Sequence, residues 1–174
     1  MFVPAMFVVS ALASVLFALI GVDSLVDPLP LDRAVLVRHA MLGAGACLLV
    51  VLSQAWFALY LLGSGRALFR AARETAGAAP EWLATATAAR RRVLPWCLVV
   101  PVSALAVFLL GGGVFTGLVA GRSHGLAFGV SLLLQMVALG IEGHELRRHE
   151  RAFARADREV GLGEPRLERP QGDC

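Results

Sequence analysis

The residues Gly143 to Glu150 read GHELRRHE and bring two imidazoles and two carboxylates into eight positions. The closest chemistry is that of zinc proteases, in which H-E-x-x-H sets two His at i and i+4 on one helix face with a Glu as general base. Here His144 and His149 are i and i+5, roughly 140° apart around a helix, against about 40° for i+4. The position four after His144 is Arg148. One helix cannot aim both rings at one ion in that arrangement, so the stretch reads as the charged flank that stops a membrane span.

A second pair is His39 and His124. Each stands at the head of a long apolar run, and small residues follow, Gly43 after His39 and Gly125 and Gly129 after His124. Imidazoles on two helices at similar depth can ligate haem iron or a transition metal, and small residues let a flat group approach. Haem b, a quinone or a metal ion between His39 and His124 is therefore one reading, with Asp23, Asp27 and Asp32 as further oxygen ligands for a metal. The other is structural, with interfacial His and Gly serving close helix packing.

Polar residues within the runs form a third candidate. On the last run Ser131, Gln135 and Glu142 share a face with His124 and Phe128, since 11 and 18 residues return to within about 20°. Ser53 and Gln54 stand in the inner half of the second run. Such groups face a bundle interior. They form either a path for a proton or quinone or a set of interhelical hydrogen bonds, each worth about 0.6 kcal/mol.

The elements that must hold these residues are set by composition. Of 174 residues 57% are hydrophobic and 17% charged, and the mean hydropathy is +0.71, whereas soluble domains are about a quarter charged. Every one of the 16 basic residues is Arg, a bias that suggests a GC-rich bacterial genome. Charge-free intervals cover Met1–Val22, the 27 residues between Arg38 and Arg66, the 29 between Arg92 and Arg122, and the 19 between Arg122 and Glu142. A helix crosses the hydrocarbon core with about 20 apolar residues. The expectation is an all-α polytopic membrane protein, a four-transmembrane-helix bundle with cytoplasmic helical extensions. Its spans fall at about residues 1–22, 39–63, 93–118 and 124–142. The first run lacks a basic n-region and exceeds a usual signal h-region, so it is read as retained.

Arg counts orient it. The connection 63–92 and the tail after Ile141 carry 13 of the 16 Arg, leaving Arg33, Arg38 and Arg122 for the other side. The positive-inside rule then places both termini in the cytoplasm of a bacterial inner membrane. Residues 64–92 form a cytoplasmic helical hairpin, with Pro80 and Glu81 at a helix start. Residues 143–160 continue the last helix with an apolar stripe of Leu146, Phe153 and Val160, suited to that hairpin or to a partner. Residues 161–174 form a disordered tail. Between Gly111 and Gly121 the chain is either helix, with Gly113, Gly117 and Gly121 as a packing ladder, or an outer loop begun by the triple glycine.

No phosphate loop, dinucleotide fingerprint, serine elbow or nucleic-acid motif occurs in the sequence. Cys47, Cys97 and Cys174 have no disulfide or metal spacing and read as plain thiols. The functional expectation is a non-catalytic inner-membrane subunit, anchor or scaffold, partnered by the lipid bilayer and by itself or another membrane protein. The alternative is a redox or ligand-binding membrane protein using His39 and His124. A third is a small oligomeric channel or transporter.

Overall fold

The computed structural model describes residues 2–26, 33–74 and 80–160, and all of them but the connecting turns are helical. The helices are α1 (Phe2–Val26), α2 (Arg33–Glu74), α3 (Glu81–Val93), α4 (Trp96–Phe115) and α5 (Gly121–Val160). Three stretches are long and apolar enough to cross a membrane: α2, the α3–α4 run and α5. In α1 a shorter apolar helix, Phe7–Gly21, is described. The tail 161–174 with Cys174, the residues Asp27 and Asp32, and the side chain of Asp23 lie outside the described residues.

In the apolar layer α1 packs on α2 and α5, and α4 packs on α2 and α5, so α2 and α5 stand diagonally across a four-cornered arrangement. Beyond it α3 lies against α5 and α2. Three core clusters succeed one another along the long helices. The first joins Ala13, Phe17, Ala46, Val50, Ala104, Phe128 and Ala138, and the second joins Phe57, Leu61, Val93 and Leu146. The third joins Leu68, Ala71, Trp82, Ala86, Ala152 and Ala156. Small residues dominate the first cluster, as expected where lipid removes the hydrophobic drive and close backbone approach supplies the attraction. The third lies among charged flanks and buries Leu68 and Trp82 fully or nearly so. Outside lipid, such burial contributes about 1.5–3 kcal/mol per large side chain.

The buried positions of α5 are Phe128, Ser131, Gln135, Ala138, Glu142, Glu145, His149, Ala152 and Ala156, with Leu146 beside Glu145 as the one addition to that series. Their spacing alternates three and four, an average of 3.5 that keeps one seam facing its neighbours along the whole helix. Large apolar residues of α5 such as Leu126, Val130, Leu133 and Met136 point outward. Apolar residues thus face outward as well as inward, and the buried polar side chains of α5 are gathered in one seam.

The open question at Gly111–Gly121 is resolved into both alternatives. Helix α4 runs through the triple glycine to Phe115, and a turn then leads to α5 at Gly121. Thr116 bonds back to the carbonyls of Gly112 and Gly113, and Leu118 and Val119 donate to Gly113. Gly117 takes φ +73° in this turn, the left-handed conformation that glycine adopts without strain. The three glycines therefore do not line one helix face. Near the other end, Pro95 stands at the N-cap of α4 and Pro101 inside it, and α3 ends at Leu94, whose N–H bonds to the Arg90 carbonyl.

Candidate functional site: a buried polar seam between the long helices

The seam begins at the end of the bundle where α4 turns into α5. His124 packs its ring on Gly111 of α4, where an added Cβ would stand 3.1 Å from Cε1. Its Nδ1 is buried and lacks a hydrogen bond of good geometry, with the Val107 backbone of α4 close to the ring. His39 on α2 lies within electrostatic reach of it. The two imidazoles proposed from sequence are thus near one another and close to a glycine. Among the described residues no group of three or more His, Cys, Asp or Glu could hold a metal ion.

One helical turn or two deeper, Ser103 on α4 and Ser131 on α5 are 3.0 Å apart, and Ser103 donates to the Val100 carbonyl at 2.8 Å. A hydroxyl has one proton to give, so Ser131 is the donor to Ser103. Ser53 of α2 closes its own hydrogen bond on the Val50 carbonyl at 2.9 Å. These serines are internally satisfied helix contacts.

The centre of the seam is different. Gln54 on α2 and Gln135 and Glu142 on α5 are all buried to 2% exposure or less. Gln54 Oε1, both polar atoms of the Gln135 amide and both Glu142 carboxyl oxygens lack a hydrogen bond of good geometry. Gln54 is the polar side chain that faces the carboxyl across the bundle. Ala138, one turn from each of the α5 residues, keeps the space between them small-walled. An unsatisfied buried polar group costs about 1–3 kcal/mol, so pairing between Gln54 and the Glu142 carboxyl bears directly on the stability of this cluster.

The seam continues past the apolar run of α5 into residues that the sequence marks as a charged flank. Glu145, side chain 4% exposed, accepts from Arg92 Nη1 at 2.6 Å and from Arg148 Nη1 at 3.4 Å. His149 is wholly buried. Its Nε2 lies 2.8 Å from Ser64 Oγ, which donates its own proton to the Tyr60 carbonyl at 2.6 Å. With Nε2 on Ser64, the ring also lies within reach of the Ala86 backbone on α3, so α2 and α3 both approach this imidazole. Tyr60 meets the ring edge-on, centroids 5.9 Å apart. Burial lowers the His149 pKa below the ordinary value, and the Ala86 carbonyl on α3 offsets part of that effect. At the far end Trp82 Nε1 donates to Glu159 at 2.8 Å and ties α3 to α5. His144, by contrast, points outward, so the i+5 spacing sends the two rings of the opening motif to different sides of α5.

Sequence reasoning thus named Ser53, Gln54, Ser131, Gln135 and Glu142, and missed Glu145, His149, Ser64, Arg92 and Ser103. The missing signal was available: the steps 135, 138, 142, 145, 149 continue one period through the charged flank. Chemically, the seam can hold and pass hydrogen bonds, and it fixes the register of α2 against α5. Comparison with protein-family models, curated proteins and solved structures yields no match for this chain.

Proposed function

We propose that the protein is a non-catalytic integral membrane protein of a bacterial inner membrane, with four spans and both termini cytoplasmic, acting as a subunit, anchor or scaffold of a membrane assembly. The observation that carries this reading is continuity. Helices α2 and α5, of 42 and 40 residues, run without interruption from the apolar layer into a cytoplasmic cluster built with α3. An independent soluble domain on a linker would need no such coupling, whereas an anchor that presents a fixed cytoplasmic face does. The bilayer is one partner, and a second copy of this chain or another membrane protein is the other. Purified from its own membrane in mild detergent, the protein is expected to run as more than one chain by light scattering or to carry a co-purifying membrane protein, without pigment. A strictly monomeric particle that carries no co-purifying protein removes this reading.

One observation favours a second reading, in which His39 and His124 hold haem b, a quinone or a metal ion. The two rings lie within electrostatic reach, and a buried nitrogen of His124 lacks a hydrogen bond of good geometry. The same preparation decides it: a Soret band or bound metal lost in the His39→Ala, His124→Ala variant supports it, and a colourless, metal-free wild type ends it.

A further inference from the structure

A groove of about 400 Å³ opens where the α3–α4 joint meets α5, lined by Arg92, Trp96, Gly140, Ile141, His144 and Glu145. Its place along the chain is specific. Gly140 and Ile141 end the apolar run of α5, Glu142 starts its charged part, and Trp96 opens the apolar run of α4. The groove therefore sits where hydrocarbon gives way to headgroups, with an apolar floor on one side and cations on the other. Trp rings favour that level of a membrane.

The charges around the groove do not cancel. Glu145 is a single carboxylate, and both Arg92 and Arg148 reach it, which leaves one positive charge in excess. The side chain of Arg92 is 60% exposed although Glu145 is only 4% exposed, so the guanidinium is held at one edge while its other N–H donors face outward. A guanidinium has five such donors and can serve a carboxylate and a phosphate together. A second groove, of about 440 Å³, adjoins the first through Arg92 and adds Arg91. Basic pockets between membrane helices on the cytoplasmic side suit anionic lipid headgroups.

We propose that this groove is a binding site for an anionic glycerophospholipid, with Arg92 on the phosphate and the acyl chain along Trp96, Gly140 and Ile141. A soluble phosphate compound would use the cationic edge alone and leave the apolar floor without purpose, so the lipid is the occupant that fits both.

The test is native mass spectrometry of the full chain from mixed micelles of phosphatidylglycerol and phosphatidylcholine. Wild type is expected to retain phosphatidylglycerol in preference. Arg92→Gln is expected to cut that preference about fivefold, the factor that one arginine near an anionic surface is worth. Gly140→Leu should cut it too, because nothing lies within 4 Å of a Cβ there and the added side chain blocks the floor without touching the ion pair. Arg70→Gln, an exposed position of α2 outside the groove, should leave the preference as it is. Equal losses in the Arg70 and Arg92 variants would make the effect general surface charge and overturn the site. Retained preference in Gly140→Leu, or displacement of the lipid by inorganic phosphate, overturns it as well. Circular dichroism of each variant shows whether it folds, and Gly140→Leu keeps the question decidable if Arg92→Gln does not.

Discussion

His149 carries a consequence of being buried between α2 and α3. Its pKa is lowered by burial, so the unfolded or opened chain binds a proton more readily than the packed one. For a base of this kind stability is complete above the unfolded value, about 6.5, and falls as pH drops through it toward the lower folded value. The exchange protection of α3 and of α5 beyond Glu145, corrected for the intrinsic pH dependence of amide exchange, is therefore expected to fall between about pH 7.5 and about pH 5.5. His149→Gln, which can still donate to Ser64, should flatten that dependence. An unchanged pH profile in the variant would locate the effect elsewhere. At this scale the sequence was legible for residues whose helical phase could be read inside a charge-free run, such as Ser131, Gln135 and Glu142. It was not legible for Glu145 and His149, because a run of charges normally marks a solvated flank. The seam shows through only when its period is followed across the membrane boundary.

At the scale of elements, the contact of α1 with α5 rests on a glycine. Phe128 stacks on Phe17 with centroids 5.4 Å apart, and a Cβ on Gly21 would fall inside the Phe128 ring. Gly21→Ala is expected to force the ring or α1 to move and to cost about 1–3 kcal/mol, read as a lowered thermal midpoint in detergent. Gly45→Ala is the matched control, since nothing lies within 4 Å of a Cβ there. It should change stability by no more than about 1 kcal/mol. Phe128→Leu should restore part of the loss in the Gly21 variant. Equal midpoints for the two glycine variants would show that α1 is not seated by this contact. Helix existence and type were readable from the apolar intervals, but their ends were not. Helix α2 begins at Arg33, ahead of the charge-free interval, and α4 continues past three glycines that in water would weaken a helix. Bonds within a helix satisfy backbone groups that lipid cannot, which outweighs glycine's flexibility inside a membrane.

For the whole molecule, the arginine asymmetry makes the orientation testable. In a background with Cys47, Cys97 and Cys174 replaced, Ser123→Cys should react with a membrane-impermeant maleimide in intact cells, since Ser123 is exposed near the α4–α5 turn. Arg70→Cys should react only after permeabilisation. The reverse pattern would invert the proposed topology, and reaction of both in intact cells would dismiss it. The all-helical class could be read from composition because few charges and long apolar runs leave the backbone no other solution in lipid. How the helices share a core could not, since lipid-facing and buried positions are both apolar and only the polar minority reports the inside.

The 40 residues of α5 also have a mechanical meaning. At 1.5 Å per residue the helix is about 60 Å long, about twice the hydrocarbon thickness of a bilayer. It contains no proline, so it lacks the commonest cause of a sharp bend. A rod of that kind works as a pointer pivoted in the membrane: a tilt of about 10° moves its free end by about 5 Å over the roughly 30 Å that project. Helix α2, of 42 residues, is nearly as long, and α3 packs on both, so a tilt of one long helix would carry the others with it.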